Sequence, residues 1–189
     1  MIYWRFMPED CRKAEQTACA QQILAEALKR EYQMLILPQI EKTEKGKPYF
    51  ADYPEIHFNY SHCRDVAVCV LSSARTGIDI ETIRPFHEQT ARRFCCDREW
   101  NWLEKQEDRD LAWIRVWTLK EAYVKYTGTG IRTNLSQIDM LDVLESQSEQ
   151  KEVWDHGTKV ILYAESIQNC RKWISVFGEQ KINTTMCCI

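Results

Sequence analysis

From residue 9 to residue 36 the apolar positions Ile23, Leu24, Ala27, Leu28 and Leu35 return at three- and four-residue intervals. That is the spacing of one helix face, and Pro38 closes the segment. The polar stretch EKTEKGKPYF that follows carries glycine and proline and is predicted to be a loop. It gathers Lys42, Lys45 and Lys47, of which the first two read as solvated charge. Two β-prone runs, IHFNYSH and DVAVCVLSS, flank a short polar connection and predict a hairpin. After a break at SSARTG, GIDIE reads as a third strand. IRPFHEQTARRFC reads as loop and short helix, with Asp97 placed to cap a helix over REWNWLEKQ. Leu111–Tyr126 is the strongest helix of the second half, and Gly128 sits where a helix-ending glycine belongs. Two late β-prone runs, TKVILYAESI and KWISVFG, complete the pattern, while the tail EQKINTTMCCI gives none. A helix followed by paired strands thus occurs in each half, which predicts two related α+β subdomains with little self-similarity at residue level.

At 189 residues the chain is one sizeable domain or two small ones sharing a core, and 44% hydrophobic residues are ample for a packed interior. A net charge of −3 argues against a general nucleic-acid binder. MIYWRFMPEDCRK has no apolar run after a basic start, and VAVCVLSSA is too short to cross a bilayer, so a soluble cytoplasmic protein without membrane contact is expected. The nine cysteines are odd in number and include the adjacent pairs Cys95–Cys96 and Cys187–Cys188. No C-x-x-C occurs, and His57, His62, His87 and His156 show no zinc-ligand spacing, so reduced thiols are expected.

Alternation in GIDIE puts Ile78 and Ile80 on one strand face and Asp79 and Glu81 on the other. Two carboxylates on one face repel, and open solvent, a neighbouring Lys or Arg, or a hard cation such as Mg²⁺ would each relieve them. In WTLKEAYVKYTGTG, Leu119, Ala122, Tyr123 and Tyr126 form an apolar stripe, and Glu121 and Lys125 lie on the opposite side, four residues apart. They are either an exposed pair or, flanked by Trp117 and Val124, partly buried charges in need of partners. Three acids (Asp79, Glu81, Glu121) with Lys120 and Lys125 nearby suit a metal-bound polyphosphate. No Walker loop, G-x-G-x-x-G or kinase signature is present.

GIDIE followed by WTLKEAYVKYTGTGI, preceded in order by GKPYF and FNYSH, resembles the 4′-phosphopantetheinyl transferases of the surfactin-synthetase-activating, two-subdomain type. The resemblance runs from about Gly46 to Ile131. It implies two pseudo-symmetric α+β subdomains, residues 1–74 and 75–189, with coenzyme A in the cleft between them. It also implies transfer of the phosphopantetheine arm of coenzyme A to a serine of an apo acyl or peptidyl carrier protein of fatty-acid, polyketide or nonribosomal-peptide synthesis, and a monomer. By motif, Asp79, Glu81 and Glu121 are implied as ligands of Mg²⁺, with Mn²⁺ as an alternative. Lys120 and Lys125 are implied as phosphate contacts, Lys125 and Asp79 acting in catalysis, and Lys47, Ser61 and His62 as holding the 3′-phosphate end. Glu99 matches the acid between the two signature motifs, a general base for the carrier serine or simply a first-turn helix acid. Gly128 and Gly130 read as helix termination and turn. Gln16 stands where longer relatives carry a basic residue, and Arg12 or Lys13 is the nearest substitute. The rival readings are the short, trimeric carrier-protein-synthase type, a Mg²⁺-dependent pyrophosphohydrolase acting on coenzyme A or a nucleotide, and a non-catalytic coenzyme A-binding relative.

Overall fold

The computed structural model describes residues 1–130, 133–145, 150–155, 158–167, 171–180, 182–183 and 186–189; Ile131 and His156 lie outside the described residues. One connection pattern is used twice. In the first half, strand β1 (Ile2–Phe6) leads to helix α1 (Lys13–Tyr32) and then, past the small hairpin β2 (Ile40–Lys42) and β3 (Pro48–Phe50), to β4 (His57–His62) and β5 (Val66–Ser72). β5 returns to pair antiparallel with β1, giving the order β1-β5-β4. In the second half, β6 (Thr76–Thr82) is followed by α2 (Glu88–Phe94), α3 (Asp97–Leu103), α4 (Arg109–Thr127), a 3₁₀ turn at Leu135–Gln137 and α5 (Leu141–Leu144). The strands β7 (Gln150–Asp155), β8 (Thr158–Ile167) and β9 (Lys172–Gly178) complete its sheet in the order β6-β9-β8-β7. Again the last long strand returns to the first, and the fold is α+β with two pseudo-symmetric halves. β10 (Met186–Cys188) leaves the second half and pairs in parallel with β1, so the C-terminal tail completes the first sheet.

Period-two alternation sorts the side chains into layers. Ala67, Cys69 and Leu71 of β5 face α1, where Ala20, Ile23, Leu24, Ala27 and Leu28 are buried. Val66, Val68 and Val70 face the other way and meet Ile78, Ile80, Ile174 and Val176 between the two sheets. The far side of the second sheet is covered by α4, whose Leu119, Ala122 and Tyr126 pack with Phe177. Gly77 sets how closely α4 lies on β6: a Cβ there would stand 2.3 Å from the Ala122 carbonyl oxygen and 2.3 Å from the Tyr126 nitrogen.

Several expectations need correction. The first helix ends at Tyr32, where Gln33 turns into the left-handed region (φ 58°), and Leu35 beyond it is 83% exposed. EKTEKGKPYF contains the hairpin β2–β3, with Ile40 opposite Phe50. Three-residue strands are too short to show alternation. Cys96 is the residue capping α3, and Asp97 is already its first helical residue. The eight described cysteines are free, and Cys63, Cys69 and Cys95 are buried.

Candidate active site at the seam of the two halves

The edge strand β4 of one sheet runs beside the edge strand β6 of the other, and side chains join them. The Ile78 amide donates to Asn59 Oδ1 at 3.0 Å, and Ser61 Oγ donates to Asp79 Oδ1 at 2.8 Å. Alternation points Asp79 and Glu81 away from the inter-sheet core, toward α4. Across from them, one turn apart on α4, are Glu121 and Lys125. Lys125 Nζ donates to Asp79 Oδ1 at 2.6 Å and to Ser61 Oγ at 2.8 Å. The Trp117 indole donates to Glu81 Oε1 at 3.3 Å, with the Arg84 guanidinium 3.8 Å from the same carboxylate.

Negative charge in this cluster is only partly neutralised by Lys125. Burial raises the carboxyl pKa of Glu81 and of Glu121 above the usual range, and the Asp79 charge raises both further. Asp79 Oδ2 is buried with no hydrogen-bond partner. Three hard oxygen donors with one orphaned oxygen among them fit Mg²⁺ or Mn²⁺, which take carboxylate ligands. The ligand oxygens of Asp79, Glu81 and Glu121 do not all lie within 4.8 Å of one another; among the described residues the group that does is Cys96, Glu99 and Asp139. That group is already filled, since Glu99 holds Lys120 and Asp139 Oδ2 accepts from Arg98 at 2.6 Å.

The cationic side of the seam is shared between the halves. His62 follows Ser61 on β4 and so lies on the opposite strand face, half-buried toward α1. Burial lowers its pKa, and the charges of Lys125 and Lys13 lower it further. Of the two substitutes for the missing basic residue at Gln16, Arg12 is engaged with Glu15 at 2.9 Å, whereas Lys13 stands near enough to His62 to bias its titration.

Three expected contacts lie elsewhere. Lys120 and Glu99 are both fully buried and joined at 2.5 Å. Lys120 Nζ also donates to the carbonyls of Phe94 and Leu135, each at 2.8 Å, and Glu99 accepts from the amides of Cys96 and Met140, each at 2.9 Å. Neither faces the seam, because α4 is covered on this side too, by α2, α3 and the turn at Leu135. Lys47 lays its chain over Gly128, and its ammonium donates to the Tyr126 carbonyl at 2.6 Å and the Thr76 carbonyl at 3.3 Å. It therefore caps the C-terminal end of α4, where a cation is favoured. Burial, with Arg75 nearby, lowers its pKa to about 8.

Sequence reasoning brought Asp79, Glu81, Glu121, Lys125 and Ser61 to one place. It missed Trp117 as a donor to Glu81, which was read only as an apolar flank. It also missed Asn59 and Gly77, although alternation with Ser61 in FNYSH and a glycine within a strand packed by a helix were signals for both.

Comparison with known proteins gives the family of the chain. The family model of the 4′-phosphopantetheinyl transferase superfamily matches residues 75–175, just over half of the chain and the stretch holding both signature motifs. The chain is similar to 4′-phosphopantetheinyl transferase gsp of Aneurinibacillus migulanus, 38% identical over 117 residues that cover 58% of this chain and 48% of that protein. It is also similar to 4′-phosphopantetheinyl transferase Sfp of Bacillus subtilis, 30% identical over 142 residues, 70% of this chain and 63% of that one. The chain thus spans about half to two thirds of the length of these relatives. Among solved structures, holo-[acyl-carrier-protein] synthase of Thermotoga maritima matches with a TM-score of 0.37 and 17% identity, covering 56% of this chain and 62% of that one. With the family model spanning β6 through the first half of β9, and the acid pair and α4 inside it, the chain belongs to the 4′-phosphopantetheinyl transferase superfamily.

Proposed function

We propose that the chain transfers the 4′-phosphopantetheine arm of coenzyme A to a serine of an apo acyl or peptidyl carrier protein, with Mg²⁺ or Mn²⁺, and releases adenosine 3′,5′-bisphosphate. The observation that carries this reading is the meeting, at one seam, of an under-neutralised acid cluster and a cationic edge. Asp79, Glu81 and Glu121 form the first; Lys125, bonded to Ser61, and Lys13, beside His62, form the second. The names of the relatives support the same reaction class. In it, the carrier serine oxygen bonds to the β-phosphorus of coenzyme A as its hydroxyl gives up a proton. The bond from that phosphorus to the bridging oxygen breaks, and the oxygen leaves on adenosine 3′,5′-bisphosphate.

Asp79, Glu81 and Glu121 would hold the cation, which supplies charge neutralisation to the pyrophosphate and its leaving group. Lys125 presents its ammonium beside them, and Ser61 orients both Asp79 and Lys125. Lys13, beside His62, makes the opposite, cationic end, suited to the 3′-phosphate. Lys47 serves by fixing the end of α4, and Glu99 and Lys120 by fixing its middle, rather than by touching substrate. No described helix is long and apolar enough to cross a membrane. The test is the mass of a panel of apo carrier proteins after incubation with the chain, coenzyme A and Mg²⁺. A carrier gaining the phosphopantetheine arm is expected with wild type, and loss of that gain with Asp79→Ala at retained fold. Cleavage of coenzyme A with every carrier unmodified would instead establish a pyrophosphohydrolase.

A further inference from the structure

The same ammonium that would serve an anionic substrate is spent on the acid cluster. Lys125 Nζ donates to Asp79 Oδ1 at 2.6 Å and to Ser61 Oγ at 2.8 Å, while Ser61 Oγ donates to that same carboxylate oxygen. Asp79 is nearly sealed, its side chain 7% exposed, and its other oxygen has no partner. Lys125 is more open, at 26%, and sits in the last turn of α4, so its side chain has solvent to move into. The three carboxylates meanwhile stand too far apart to share an ion without a shift.

Resting on the metal reading given under the proposed function, we propose that Lys125 is the resident counter-ion of Asp79, which a divalent cation must displace before the three carboxylates can close on it. The geometry leaves little choice. A cation bound through Asp79 would stand within a few ångströms of the ammonium, and like charges at that distance in a half-buried site repel strongly. The displaced lysine stays tethered at the rim of the seam, next to Lys13 and His62. Added positive charge there is unfavourable until an anion arrives. Metal binding in the absence of substrate is therefore weak by construction, and an anionic substrate strengthens it by giving the released ammonium a partner.

Mn²⁺ alone, titrated into the full chain and followed by the electron paramagnetic resonance of the free ion, reads the first step without any need for turnover. Lys125→Met is expected to bind Mn²⁺ roughly tenfold tighter than wild type or better, because the competing cation is gone. Equal or weaker binding by the variant, with wild type still binding Mn²⁺, overturns the displacement and leaves the metal reading intact. Absence of Mn²⁺ binding by both proteins overturns the metal reading and the displacement together. A measurement on wild type keeps the proposal exposed should the variant not fold. With ¹⁵N-lysine labelling, the ammonium resonance that is missing in Lys125→Arg should shift on addition of Mg²⁺ alone. A resonance that stays fixed while Mg²⁺ binds also overturns it.

Discussion

Replacing Lys120 by Met separates a structural from a chemical role for the buried pair. The structure gives the magnitude. Lys120 and Glu99 are fully buried and in contact, so removing the ammonium strands a carboxylate in the interior, which costs about 3–5 kcal/mol when a buried pair is broken. The Phe94 carbonyl loses its donor as well, which costs about 1–3 kcal/mol for a buried acceptor left unpaired, while the Leu135 carbonyl keeps the Ile138 amide. Against a typical domain stability of about 5–15 kcal/mol, the variant should lose roughly a quarter or more. Urea unfolding at fixed pH, with wild type and variant compared through their midpoints and slopes, measures this directly. The double variant Glu99→Met/Lys120→Met should remain destabilised although the charges are gone. The amides of Cys96 and Met140 and the Phe94 carbonyl depend on the pair and would be left unpaired together. Stability of Lys120→Met within about 1 kcal/mol of wild type, together with collapsed transfer, would refute the reasoning and return Lys120 to the chemistry.

Two further outcomes follow from contacts with α4. Gly77→Ala should force α4 away from β6, because the added Cβ meets backbone atoms at 2.3 Å; a loss of about 1–3 kcal/mol or more in thermal unfolding is expected, with weakened Mn²⁺ binding, and a wild-type melting temperature would contradict it. Lys47 has its pKa lowered from 10.5 to about 8, so between those values the unfolded chain holds a proton that the folded chain does not, and its contribution to stability rises with pH across that window. The stability of wild type relative to Lys47→Met should accordingly increase by up to about 3 kcal/mol from pH 8 to pH 10.5, and a flat difference in urea unfolding would show that the burial penalty is absent.

Much of the architecture was legible because its signals are periodic. Ile23, Leu24, Ala27 and Leu28 recur at helical spacing and are all buried, and the alternation of Ile78 and Ile80 with Asp79 and Glu81 places the acids on one face, as β6 bears out. What escaped was short or non-local. IYWRF and MCC carry too few residues to show a period, and they are strands because they pair with β5 and with each other across the length of the chain. Lys120 was misplaced for a different reason. Helical periodicity assigns a direction around the axis, and it cannot say that α2, α3 and the Leu135 turn close over that side and supply Glu99 as a buried partner. Lys47 likewise carries in its motif a positive charge suited to phosphate, but the fold uses it on the end of a helix that is 79 residues away in sequence.

The position of the candidate site follows from the way the halves are joined. β4 and β6 are both edges, and continuous hydrogen bonding between them would make one long sheet with no opening along the seam. Instead Asn59 and Ser61, two residues apart and so on the same strand face, reach across to Ile78 and Asp79. Side-chain bridges hold the edges at a distance that backbone ladders would close, and the polar groups they bring are those that orient Asp79. The device that fastens the halves therefore also builds the acid cluster. This is why FNYSH and GIDIE, separated in sequence and belonging to different sheets, carry a single chemistry only when read together.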